Sequence, residues 1–177
     1  MTSPTTGGFR RGVRIGVDVG SVRVGVARTD PDGMLAVPVA TLTRPKAVAD
    51  ARSDLLALVD LVAEYEPLEV VVGLPLALDG TEGLASAAVR VYCADLRSML
   101  DDRGLDVGIR LVDERLTTAA ATRGLQAAGR DSRSGRAVVD QAAAVIIVQH
   151  ALDSERSTGT PPGILLEHAT APREDQA

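Results

Sequence analysis

Apolar and polar positions first alternate along the chain and then recur at helical spacing, and the change of period divides the sequence into elements. Ile15, Val17 and Val19 alternate with Gly16 and Asp18, which predicts a strand over 13–19 with Asp18 on the face opposite the valines. Gly20-Ser21-Val22-Arg23 makes a tight connection to a strand at 24–28, and the TDPDG turn at 29–33 leads to a third at 34–42, completing an antiparallel meander. Over 46–65 Val48, Leu55, Leu58, Val59 and Val62 fall at helical spacing, and Pro67 stops the helix. EVVVGL at 69–74 is apolar without alternation, the pattern of a central parallel strand buried on both faces. PLALDGTEG is a loop. A helix from Leu84 to Arg103 ends at Gly104, and VGIRLV at 107–112 is the last predicted strand. Two further helices, 114–128 and 137–152, are split by the loop GRDSRSG at 129–135; the second is apolar nearly all round and belongs against the sheet.

This order describes an α/β domain with a mixed five-stranded sheet, antiparallel among its first three strands and parallel thereafter, flanked by helices. The domain is expected over 13–153, with 1–12 a flexible arm and 154–177 a mostly disordered tail. A chain of 177 residues suffices for one core. Aliphatic residues must build it, because there is no Trp, one Phe and two Tyr, and the same scarcity argues against binding nucleic acid by stacking bases on aromatic rings. No apolar run reaches membrane-spanning length and MTSPTTGGFRRG has no apolar signal core, so the expected location is the cytoplasm. Cys93 has no internal disulfide partner and reads as a core residue of its helix.

The net charge of −5 argues against a generally basic coat, but its distribution is uneven. Residues 1–28 carry a net +4 and residues 110–136 a net +3, while 153–177 carry −3. Basic character thus coincides with the segments holding the candidate acids, as an approaching phosphate requires. Base composition of the genome also explains an Arg-rich chain, in which Lys46 is the single lysine. Arginine forks nevertheless grip phosphate in two places at once.

Asp18 is the first candidate for chemistry. A carboxylate within an apolar run is costly unless a metal, a proton or a partner accompanies it, and Gly16, Gly20 and Gly25 leave room around it for a ligand or another backbone. The plain alternative is a hairpin acid turned to water. In sheets of this kind sites form where strands end. Asp18 lies near the end of the first strand and DER at 113–115 follows the last, so strands placed close together would bring the acids to one edge. Asp140 falls in the first turn of the last predicted helix, where complementing the helix dipole accounts for it; Asp113 and Glu114 have the same simple explanation. Unrelated acids require all three explanations to hold at once.

GVDVGSVRVGVA, VVGLPLALDGTEG, DERLTT and VDQAAAVIIVQ, in this order, resemble the YqgF family, also called RuvX, over residues 13–153. That resemblance implies an RNase H-like fold, kinship with RuvC-type resolvases, and an acidic triad at Asp18, Glu114 and Asp140. The loop before the last helix, commonly lysine-containing in relatives, reads RDSRSGR here. The implied activity is a metal-dependent nuclease of two-metal type, with the triad binding Mg²⁺ or Mn²⁺, as hard oxygen ligands without a Cys or His cluster favour. Arg23, Arg115, Arg133 and Arg136 are candidates for phosphate contacts, Thr117 and Thr118 for orienting the acids, and 73–83 for a substrate-side loop. His150, nearly three turns after Asp140, reads as a helix-end residue interacting with the dipole.

The resemblance points to maturation of the 5′ end of pre-16S rRNA, with Holliday junction resolution as the alternative. Junction resolution needs paired nicks and hence a two-fold dimer, whereas trimming RNA needs one site; the chain is accordingly a monomer or a homodimer, with nucleic acid and no membrane as partner. An actin-like or sugar-kinase-type ATPase also opens on an acid, a glycine and a return strand, but needs two such domains. A non-catalytic nucleic-acid binder on the same fold has no use for all three acids.

Overall fold

The computed structural model describes residues 8–46, 52–116 and 133–166, except the side chains of Leu116 and of residues 133–138. Its strands are β1 (Arg14–Val19), β2 (Arg23–Thr29), β3 (Ala36–Thr43), β4 (Glu69–Leu74), β5 (Gly108–Asp113) and β6 (Ile164–Leu166). The helices are α1 (Ser53–Tyr65), α2 (Leu84–Asp102) and α3 (Arg133–Thr158), and Glu114–Leu116 forms a single 3-10 turn. The sheet runs β3-β2-β1-β4-β5-β6. β1 pairs antiparallel with β2 and β2 with β3, β4 is parallel to both β1 and β5, and β6 returns antiparallel on β5.

The alternation in β1 sorts side chains as the sequence predicts. Ile15 and Val17 join Val24, Val26, Val70, Val72, Ile109 and Leu111 beneath α1 and α2. On the opposite face Ala27, Val71 and Val112 pack with Ala144, Ile147, Val148 and Ala151 of α3. β4, with all six residues buried, is the central strand its uniform apolar run predicts. Glu66, in the left-handed region (φ 43°), ends α1 just before Pro67. Cys93 lies in the core, where burial pushes its thiol up to about 12.

The glycines facing α3 are explained by helix approach. A Cβ at Gly25 would collide with the Asp140 carbonyl oxygen, and one at Gly16 would lie 2.7 Å from the Ala144 carbonyl oxygen. Both colliding atoms are backbone, so α3 has no way to yield except by lifting from the sheet. Gly25→Ala is expected to cost about 1–3 kcal/mol, the usual penalty of overpacking, read as a lower urea midpoint.

Several expectations need correction. The sheet has six strands, not five, because Ile164–Leu166 pairs with Leu111, Arg110 and Ile109 of β5. The expected tail is therefore built into the domain as far as Leu166, since α3 itself runs on to Thr158. Residues 8–12 belong to it as well, through Arg10. The first helix starts at Ser53; residues 47–51 lie outside those described, as do 1–7 and 167–177. Of the expected 114–128 helix only the 3-10 turn is described, and residues 117–132, with Thr117 and Thr118, lie outside.

The basic segments also divide. Arg10 bonds Glu155 Oε1 through Nε at 2.7 Å and Glu69 Oε1 through Nη2 at 2.8 Å. Arg14 reaches Glu155 Oε2 at 2.9 Å, and Arg110 reaches Glu69 Oε2 at 2.9 Å. Arg14, Glu69, Arg110 and Glu155 are buried. This network closes the end of the sheet where β1 and β4 begin, so Arg10, Arg14 and Arg110 neutralise buried carboxylates and add nothing to the charge around Asp18. A strand carries its two ends to opposite poles, which a segment-by-segment charge count does not resolve.

Candidate active site

Asp18 stands near the far end of β1, on the α3 face, with 4 % of its surface exposed. Burial removes the reading of a hairpin acid turned to water. The turn beyond it is fixed from two sides: the Gly20 N–H donates to the Arg23 carbonyl at 2.9 Å, and Arg44 donates from Nη1 to the Gly20 carbonyl at 3.0 Å. Arg44 in turn pairs with Asp54 at 3.7 Å and lies over the Tyr92 ring. Sequence spacing gave no hint of this support, because its partners come from three separate elements.

β4 lies between the strands that deliver Asp18 and Glu114, so the two acids flank it rather than sit on neighbouring strands. Val17 pairs with Val72, and Asp18 and Gly73 are the next residues along the two strands. Glu114, 5 % exposed, lies over Gly73: a Cβ there would stand 2.5 Å from Glu114 Oε1 and 2.7 Å from Ile147 Cδ1. The glycine thus makes the space that the carboxylate fills.

Asp140 reaches the same edge from α3, its carbonyl packed on Gly25, the cross-strand partner of Asp18. It is seven residues into α3 rather than in the first turn, too far from the helix start for the dipole to account for it. Its Oδ2 accepts a 2.7 Å bond from Arg23 Nε. His150, likewise, is internal to α3 and not at its end.

Three elements therefore bring Asp18, Glu114 and Asp140 to one face and one edge of the sheet. Among the described residues, however, no three Asp, Glu, His or Cys side chains group closely enough to hold a metal ion. The donor set itself suits a hard divalent cation, since it is all carboxylate oxygen and two of its members are buried. The side-chain-free backbone at Gly25 and Gly73 gives those acids their places.

Of the four candidate phosphate contacts, Arg23 is on Asp140, and the side chains of Arg133 and Arg136 lie outside the described residues. Arg115 forks onto Asp113, with Nη2 2.7 Å from Oδ2, and these bonds hold the Asp113 carboxyl below its usual range. Its Nη1 also donates to the Leu78 carbonyl at 3.1 Å. The loop so reached is ordered within itself: Leu76 bridges Glu82, the Ala77 N–H donates to the Thr81 carbonyl at 2.9 Å, and the Thr81 hydroxyl donates to Asp79 at 2.7 Å. Ser86 Oγ ties its base to the Pro75 carbonyl. Leu78, at the tip, is 98 % exposed.

No helix among the described residues is long and apolar enough to cross a membrane. In its fold the chain is similar to Thermus thermophilus RuvC in complex with a Holliday junction substrate. The TM-score is 0.54 at 13% identity, covering 86% of this chain and 99% of that one. In sequence it is similar to "Putative pre-16S rRNA nuclease" of Streptomyces coelicolor, 54% identical over 155 residues, 88% of each chain. The protein of the same name from Streptomyces avermitilis is 51% identical over 156 residues, 88% of this chain and 95% of that one. The family model described as RuvX, Holliday junction resolvase, matches residues 12–154, a span that takes in the whole acidic edge, and the chain belongs to the RuvX family.

Proposed function

We propose that the chain is a metal-dependent nuclease that hydrolyses phosphodiester bonds in maturing the 5′ end of pre-16S rRNA. The observation that carries this reading is the delivery of Asp18, Glu114 and Asp140 by three different elements to one edge of the sheet. The names of its relatives from two Streptomyces species supply the substrate. The three carboxylates would hold Mg²⁺ or Mn²⁺, in a two-metal arrangement; the bound ions supply an activated water and offset the negative charge of the phosphate. The chain's own contribution is to present rigid oxygen donors: Asp18 from a buried strand, Glu114 from the turn that follows β5, Asp140 from a helix seated on glycine. Arg23, which pairs with Asp140, and Arg133 and Arg136 are the proposed phosphate contacts.

A junction resolvase is the second reading, favoured by the description of the family itself. Purified protein with Mg²⁺ or Mn²⁺ on a 16S precursor RNA with an extended 5′ end, and in parallel on a four-way DNA junction, separates the two. Cleavage of the RNA is expected. Paired nicks in the junction with intact RNA would replace the first reading by the second, and RNA bound but uncut under every condition would make the protein a non-catalytic binder.

A further inference from the structure

We infer that Arg115 is a latch: it fixes the 75–83 loop to the turn that carries Glu114, as a positioning residue and not as a grip on substrate phosphate. Three of the five N–H donors of its guanidinium are engaged within the chain. Nε faces both Asp113 oxygens at 3.1 Å, Nη2 donates to Oδ2 at 2.7 Å, and Nη1 donates to the Leu78 carbonyl at 3.1 Å. The Arg115 backbone N–H donates to the same Asp113 carboxylate at 2.9 Å, so one acid orients the residue at both its root and its tip.

The loop is shaped to receive this group. Gly80 has φ +88° and a Cβ there would stand 3.3 Å from Arg115 Nη1, so the guanidinium lies against bare backbone. Ser86 and Arg90 of α2 hold the stems of the loop, through Pro75 and Glu82. Arg115 holds its tip. The connection forms a closed ring: the loop leaves β4 just after Gly73, its tip is tied to Arg115, and the preceding residue, Glu114, returns its carboxylate to Gly73. Loop and catalytic edge are thereby set together.

The nuclease reading enters only in saying what the loop serves, and the test keeps the two apart. Arg115→Lys keeps the charge but, as a single compact donor, does not span Asp113 and Leu78 together. Amide exchange at Ala77, Gly80 and Thr81 is expected to rise about tenfold in Arg115→Lys and Arg115→Ala alike, as loss of a charged hydrogen bond implies. Asp113→Asn should move the same amides in the same direction. With the precursor RNA bound in the absence of divalent ions, the slope of log Kd against log salt should be the same in wild type and Arg115→Ala. Unchanged loop exchange in the variants overturns the latch. So does a slope smaller by about one with wild-type behaviour in Arg115→Lys, the signature of a lost phosphate contact. Wild type that binds no RNA counts against the nuclease reading, while the exchange measurement still decides the latch.

Discussion

Asp18→Asn is expected to lose more than about a hundredfold in cleavage rate while the protein still folds. Altering a group that only supports a metal ligand already costs roughly 10–100-fold, and Asp18 is proposed as a ligand itself. The amide preserves shape, removes the charge and replaces one acceptor oxygen by an N–H donor, so it tests the carboxylate and not its volume. The substitution leaves the volume of a buried side chain in place, so a single cooperative urea transition should persist. Urea denaturation beside a cleavage time course measures both. Wild-type cleavage by the variant would remove Asp18 from the site. Asp140→Asn provides a contrast: activity should fall similarly, but stability should fall too, because the substitution weakens the 2.7 Å pairing with Arg23.

Glu155→Gln is expected to produce the reverse pattern, a large loss of stability without a direct effect on chemistry. Glu155 is 1 % exposed and accepts from both Arg10 and Arg14, so neutralising it leaves the buried Arg14 guanidinium with the Glu69 carboxylate, 3.7 Å away, as its remaining acidic partner. Removing one partner of a buried pair costs about 3–5 kcal/mol, which urea denaturation reads directly. Burial raises the Glu155 pKa, but hydrogen bonds from Arg10 and the nearby Arg14 charge outweigh it and hold the carboxyl below its ordinary value of 4.5. A depressed native pKa contributes stability that is fully present above the unfolded value and is lost as pH falls through the native one. The variant should therefore lose less stability than wild type on acidification from about pH 5, with the difference closing at low pH.

How much of this could be read from the chain depended on how local each feature is. The hairpin around Asp18, the central position of β4, the span of α2 to within one residue and the core position of Cys93 follow from periodicity and short-range turns, and the structure bears them out. β6 did not, because three mostly exposed residues after a PPG turn carry no period and gain strand character only by pairing with β5. The start of α3 was misplaced for a similar reason: RDSRSGR has the glycine and serines of a loop, yet the helix begins at Arg133 and runs through Gly135. That shift is what moved Asp140 out of the first turn. Arg10, Arg14 and Arg110 were counted with the basic residues near the acids, and the partners that claim them, Glu69 and Glu155, are distant in sequence. The ties of Arg115 and Arg44 to loop carbonyls are likewise invisible to residue type.

α3 packs across β1 to β4 on one face of the sheet, carries Asp140 in its first half and Glu155 near its end, and is the last helix along the chain among the described residues. Arg10 and Glu155 are 145 positions apart, so the network in which Arg10 and Arg14 also face Glu69 is completed only once α3 has been made. On the ribosome, at about 5–20 residues per second, the half of the domain built on α1 and α2 can assemble first, with Ala27, Val71 and Val112 still bare. Docking of one helix then adds Glu155 to the network of Arg10 and Arg14, covers that apolar face and brings in the third acid in a single event. On the proposed reading, nascent chains that end before this helix should consequently carry no nuclease activity.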